Sequence, residues 1–281
     1  MAPRSLPASE LARLQARYPQ AFGDTLVVRT LRTGVMVAGV AYLFYLAVKL
    51  GLISEGFLSG LGKTGVIIGA MWPPAPDSWG SFEIILVKLG ETVGMAFLGT
   101  LIASLIALPL GFLGAKTVMA APTLHFVIRR CFDFLRGMPA LIWALVFVRA
   151  VGLGPMTGVL AFAMADFPAL AKLNAEAIET ADKGEVEGVA SAGAPRLFVL
   201  RFGLLPQVLP VILSQALYFF ESNVRSAAIL GIVGAGGIGT VLSEAIRFNL
   251  WAEVAFIILI FLIVVAFIDW GSRKLRERLI G

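Results

Sequence analysis

Histidine and cysteine are nearly missing from this sequence: His125 and Cys131 stand alone in 281 residues. A single cysteine excludes an internal disulfide and a Cys-based zinc site, and a single histidine excludes a two-His metal motif. Both are read as residues of interfacial loops, and no serine stands with a base at a spacing that would make it a nucleophile. Charge is scarce as well, at 15% against roughly 25% in soluble domains. With 58% hydrophobic residues and a mean hydropathy of +0.89, the chain reads as an all-α, polytopic membrane protein with no room for a separate catalytic domain. The opening stretch MAPRSLPASELARLQARYPQAF has no apolar core of the signal-peptide kind, so no cleavage is expected.

Two nucleotide motifs are approached and missed. Gly62-Lys63-Thr64 ends like a phosphate-binding loop, but Phe57 stands where the pattern requires glycine. The chain is therefore expected to hydrolyse no nucleotide, and to draw its energy from a partner. Gly234-Ala-Gly236-Gly237-Ile-Gly239 is a literal GxGxxG with Glu253 beyond it, yet neither the preceding strand nor the βαβ unit of a dinucleotide fold is present. These glycines read instead as a break in backbone at membrane depth, tolerable only where protein or a water-filled cavity surrounds it.

What the sequence does hold is a series of apolar runs. Residues 1–34 form a polar arm with Arg4, Arg13, Arg17, Arg29 and Arg32. A first span is expected over 35–53, followed by an outer segment, 54–91, whose Trp72-Pro-Pro-Ala-Pro-Asp-Ser-Trp79 cluster suits an extended loop with aromatic anchors. The core, 92–281, holds further spans at Thr92–Gly114, Met138–Val151, Pro155–Leu173, Leu204–Arg225 and Trp251–Trp270. Six spans are thus expected, each long enough, or nearly so, to cross a core of about 30 Å. The small residues of Thr92–Gly114 let helix backbones approach closely, and Pro168 is expected to kink its span beside Asp166. If the arm is cytoplasmic, then the loop 116–137, the loop at about 174–203 and the tail 271–281 are cytoplasmic too. Those segments hold most of the 23 Lys and Arg residues, the positive-inside pattern. The net charge of +5 therefore orients a membrane protein, and no nucleic-acid partner is expected.

The loop 174–203 has the layout of a docking loop: Glu187, Gly193 six residues on, Arg196 behind Pro195, and Leu205-Pro206 where the chain re-enters the membrane. In the span that follows, Ser214, Tyr218, Glu221 and Arg225 fall within an arc of about 60° on a helix, with Asn223 nearby. A polar stripe on a spanning helix faces a cavity or the bundle interior, although a self-neutralising Glu221–Arg225 pair would serve equally. Arg225 suits an oxygen-rich anion, whose oxygens its fork binds two at a time. Arg149 and Arg247 lie toward the outer side, where they would draw anions in.

The stretch Phe220 to Gly239, FESNVRSAAILGIVGAGGIG, resembles the signature of the phosphonate-type ABC transporter permeases. So do Glu91-Thr92-Val-Gly-Met95, Leu135-Arg136-Gly-Met-Pro139, Val151-Gly-Leu-Gly-Pro155 and Ala175-Glu-Ala-Ile-Glu179. The resemblance runs from about Ser81 to Gly281 and implies a type I importer fold in the bacterial inner membrane, with a cytoplasmic N-terminus. It also implies two ATPase subunits holding ATP and magnesium, a second permease copy or paralogue, and an extracytoplasmic binding protein. No cofactor is expected in this chain. On that resemblance Glu187, Gly193 and Pro206 are coupling positions, while Ser214, Tyr218, Glu221, Asn223, Arg225 and Asp166 are candidates for the substrate pathway. Gly234, Gly236, Gly237 and Gly239 are candidates for a gate. Two departures stand out: Glu187-Gly188-Val189 replaces a Glu-Ala-Ala start, and Ala165-Asp166 replaces an expected His-Thr or His-Ser pair. The second directs attention to phosphite and hypophosphite beside phosphonates. A secondary anion transporter without an ATPase, and a membrane-bound enzyme, are the alternatives; co-purification with an ATPase, or substrate emerging altered, separates them.

Overall fold

The computed structural model describes residues 10, 13, 26–51, 55–118 and 122–280. The arm before residue 26 lies, those two positions apart, outside the described residues. Two units are present, Met1–Ile67 and Ile68–Gly281. The first holds α1 (Leu26–Lys49) and most of α2 (Glu55–Ala70). No proline interrupts the chain from Leu26, so α1 begins nine residues ahead of the expected span and takes Arg29 and Arg32 into the helix. Gly51, at φ +72°, follows its end.

Helix continues where an extended outer loop was expected. Only residues 71–78 are non-helical, because the prolines of Trp72-Pro-Pro-Ala-Pro deny the backbone its helical donors. Ser78 then caps α3 (Trp79–Gly114), accepting from Ser81 N at 3.2 Å. The second unit continues through α4 (Pro122–Arg136), α5 (Ala140–Val151), α6 (Pro155–Thr180) and α7 (Lys183–Ser191). A short turn, Arg196–Phe198, and a π-helical turn, Val199–Leu204, lead into α8 (Leu205–Leu230). A second π-helical turn, Gly231–Ala235, separates it from α9 (Ile238–Arg247), and α10 (Trp251–Ile280) closes the chain. No strand occurs among the described residues.

Among the described residues, five helical stretches are long and apolar enough to cross a membrane: Val28–Lys49, Trp79–Gly114, Pro155–Thr180, Arg196–Ala235 and Trp251–Leu279. The basic segment 116–137, expected as a loop, is largely α4. It meets α5 at 81°, and this bent pair makes six spans if counted as one. The α5 helix alone, at 12 residues, is too short for the roughly 20 a span requires. The α6 helix runs through Pro168, which is fully buried among its neighbours. It extends to Thr180, so the docking segment is shorter than 174–203.

The α3–α6 pair is the most extensive contact of the second unit. Ala96, Gly99, Ala103, Ala107, Gly111 and Gly114 recur along one buried stripe of α3. A Cβ on Gly99 would lie 2.6 Å from Phe162 Cβ, and one on Gly111 would lie 2.6 Å from Asn174 Cβ. Close backbone approach replaces hydrophobic driving force, which is weak between helices in lipid. The tightest approach is at the break, where a Cβ on Gly239 would run into Ala228 O and sit 2.8 Å from Gly231 Cα. Backbone cannot yield there as a side chain would. Gly239→Ala is therefore expected to destabilise the purified protein by about 1–3 kcal/mol, read as a lower thermal unfolding midpoint in detergent. Gly90→Ala, with nothing within 4 Å of its new methyl, is expected to hold or raise that midpoint.

Candidate functional site

The segment expected from the sequence to be a docking loop is built from a cap, a helix and a clamp. Asp182 accepts from Gly184 N at 2.8 Å and so starts α7. Gly188 does not interrupt the helix, and Glu187 lies on its exposed side. Gly193 takes φ +78°, the left-handed turn that glycine adopts without strain, and Pro195 opens the turn carrying exposed Arg196. Gln207, in the first turn of α8, ties both ends together: its Oε1 accepts from Asp182 N at 2.8 Å and its Nε2 donates to Gly203 O at 2.7 Å. Gly203 lets the π-helical turn lie against α7, since a Cβ there would be 3.1 Å from Val186 Cα. Pro206 is exposed beside it. The outward face carries Leu197, Phe198 and Phe202, all exposed, with the two rings stacked at 5.9 Å.

Behind this segment, Glu179 at the end of α6 accepts from Lys116 N at 2.8 Å and Arg129 Nη2 at 3.1 Å, with His125 Nε2 at 3.8 Å. His125 is buried, contrary to its reading as an interfacial loop residue. It lies on α4, a helix that the basic composition of 116–137 concealed. Cys131 is exposed on the same helix.

The polar residues of α8 divide between two faces. On one, buried Asn223 donates through Nδ2 to Thr100 Oγ1 at 2.9 Å and to a carboxyl oxygen of buried Asp166. This joins α3, α6 and α8, and the Thr100 hydroxyl itself donates to Ala96 O at 2.8 Å. On the other face Glu221 and Arg225 do not pair with each other. Arg276 Nη2 donates to Glu221 Oε1 at 2.6 Å, and Arg225 Nη1 donates to both oxygens of Asp269 at 2.9 and 3.1 Å. The two helices are antiparallel, so each charge on α8 finds its opposite on α10 and the local pair is unnecessary. Asp269 and Arg276 carry no spacing signal relative to α8, and sequence reasoning passed over them. Tyr218 is exposed, and the Ser214 hydroxyl is buried with no hydrogen-bond partner among the described residues.

The break is stapled from two sides. Gly234, Gly236 and Gly237 have φ of +98°, +85° and +74°, values that L side chains rarely adopt. The Thr92 hydroxyl accepts from Ile238 N at 2.7 Å, and Glu91 Oε2 accepts from Gly237 N at 3.4 Å. These satisfy the first donors of α9, which gives the Glu91-Thr92 motif its physical reason. Glu91 is itself held by Lys88 at 2.8 Å. From the opposite side, Gly154 N donates to Gly234 O at 3.1 Å, which places the Gly152–Pro155 turn against the break.

Known proteins with this arrangement are membrane transport subunits. The family described as "Binding-protein-dependent transport system inner membrane component" matches residues 107–281. The putative phosphite transport system permease protein HtxC of Stutzerimonas stutzeri is 37% identical over 218 residues, covering 78% of this chain and 76% of that protein. The phosphate-import permease protein PhnE of Mycolicibacterium smegmatis is 40% identical over 215 residues, covering 76% of this chain and 40% of that longer protein. Among solved structures, the inward-facing MetNI methionine ABC transporter matches with a TM-score of 0.65 at 22% identity, over 73% of this chain and all of the matched one. The fold is that of a type I ABC importer permease, and the chain belongs to the family of inner-membrane components of binding-protein-dependent transport systems.

Proposed function

We propose that this permease takes up a small phosphorus oxyanion, a phosphonate or a reduced anion such as phosphite or hypophosphite, by alternating access in the bacterial inner membrane. The observation that carries the reading is the course of α8, which joins an exposed docking segment at one end to a stapled glycine break at the other. Support for the substrate class comes from the names of its relatives, which carry phosphite in one case and phosphate in another. In this reading two ATPase subunits, which hold ATP and magnesium, grip α7 at Glu187 and the turn after it around Gly193 and Arg196. A second copy or paralogue completes the pathway, a binding protein delivers substrate from outside, and the N-terminus is cytoplasmic. As a transport subunit of its family the chain carries the pathway, and the ATPases carry the hydrolysis.

Arg225 is the residue assigned to the anion. Its pair with Asp269 is substantially exposed in the single chain, at 46% and 35% of the two side chains. A charged pair on a spanning helix does not face hydrocarbon, so that face belongs to the pathway or to the second permease. Exposed pairs contribute only about 0–1 kcal/mol, and Asp269 offers Arg225 two oxygens as an oxyanion would. The anion would displace Asp269, with part of the guanidinium fork free to receive it. The Asp166–Asn223–Thr100 cluster would then fix the spacing of α3, α6 and α8 around the path. Gly234, Gly236, Gly237 and Gly239 would allow the outer end of α8 to open and close.

Three outcomes are expected. Arg225→Ala abolishes ATP-driven phosphite uptake in proteoliposomes while the ATPase still co-purifies; full uptake by that variant would remove Arg225 from the pathway. Asp269→Asn, which relieves the competition, lowers the half-saturating substrate concentration severalfold; an unchanged value would contradict the exchange. Asn223→Leu leaves Asp166 and Thr100 buried without their shared donor, at about 1–3 kcal/mol, and lowers the unfolding midpoint more than Tyr218→Phe does.

A further inference from the structure

The end of the molecule opposite the docking segment carries a cavity of about 400 Å³ that the pathway does not use. Its walls are the loop before α3 and the turn between α9 and α10, including Asp77, Asn249, Trp251 and Glu253. The two walls are tied by one backbone hydrogen bond, Ala75 N to Ala252 O at 3.3 Å. Asn249 turns the chain at φ +57°. Glu253, in the first turn of α10, is only 7% exposed. Its carboxylate takes no hydrogen bond or ion pair among the described residues, although it lines the cavity. The α10 N-terminus favours its negative charge, and its oxygens open on the cavity instead of being sealed from it. Asp77 stands exposed on the same cavity, and no Lys or Arg among the described residues lines it.

We propose that this cavity is a socket for one lysine or arginine side chain of the extracytoplasmic binding protein. The side of the membrane and the existence of that partner rest on the importer reading; the chemistry of the socket does not. The cavity asks for a cation, because its only charges are carboxylates. Its size and walls suit a side chain better than a metal ion: Leu250, Ala70 and Ala75 accept an aliphatic stem. Trp251 lines the same cavity, where an indole can hold the charged head, and no group of three metal-ligating residues occurs among the described residues. Because α8 and α10 run antiparallel, the α9–α10 turn lies at the far end from α7, where an external protein reaches it. The same turn leads directly into α9, so an inserted side chain presses on the stapled break.

The test uses the full transporter in nanodiscs with the substrate-loaded binding protein of the same transport system. Glu253→Gln and Asp77→Asn are each expected to weaken binding about tenfold or more, the order for loss of a desolvated charge partner. Zero-length carbodiimide coupling is expected to join Asp77 or Glu253 to a lysine of the binding protein, identified by mass spectrometry. Co-purification with the ATPase verifies assembly, and Asp77→Asn, on an exposed loop, decides the matter should Glu253→Gln fail to fold. Affinities within twofold of wild type together with no such crosslink would overturn the socket. So would a crosslink from either carboxylate to Lys63 of the same chain, since the cavity would then be filled internally. If the unaltered transporter binds no binding protein at all, the importer reading falls first and the socket with it.

Discussion

Inside a bilayer every backbone donor and acceptor needs a partner within the protein, and this constraint organises the second unit. A continuous helix meets it automatically. The π-helical turn at Gly231–Ala235 and the left-handed glycines after it do not, so the chain must bring partners to them. Thr92 and Glu91 on α3 and the Gly152–Pro155 turn supply these. Two otherwise unrelated sequence motifs thereby become the two halves of a cradle for a third. The α3 helix reaches the break because its small residues let it lie directly on α6, and α6 begins at the turn that supports Gly234.

The same constraint explains the polar residues below the break. Asn223, Asp166 and Thr100 satisfy one another across three helices, and Glu221 and Arg225 find opposite charges on α10. These two sets differ in what they can do. The first is buried on all sides and fixes spacing. The second is partly open, and the Arg225–Asp269 pair has the accessibility that exchange with an anion demands.

Much of this was legible in the sequence. Apolar runs gave the spans, the glycine pattern gave the break, and the spacing from Glu187 to Pro206 marked out the exposed α7 and the turn at Gly193. The places that escaped share a cause: sequence reading treats polar composition as loop. The α4 helix was hidden by Arg129, Arg130 and Arg136, and the last two turns of α6 by Asn174 and Glu176. Helix α2 was concealed by its glycines and by the proline cluster beyond it. Partnerships across long separations were also invisible. The stripe on α8 was correctly polar, but nothing in local spacing distinguishes a Glu221–Arg225 pair from two bonds to α10, and Gln207 carries no signal that it clamps Asp182. Such pairings come from the antiparallel packing of helices, which periodicity does not encode.

The central claim is that α8 transmits motion between the docking segment and the break. It is tested most directly by the distance between spin labels at Ser191→Cys on α7 and Ser243→Cys on α9, with Cys131→Ser removing the native thiol. Pulsed electron paramagnetic resonance on the full transporter in nanodiscs would compare the nucleotide-free state with an ATP-bound state blocked in hydrolysis. The account predicts a shifted distance distribution on ATP binding. The same distribution in both states, in a labelled transporter that still imports substrate, would contradict it.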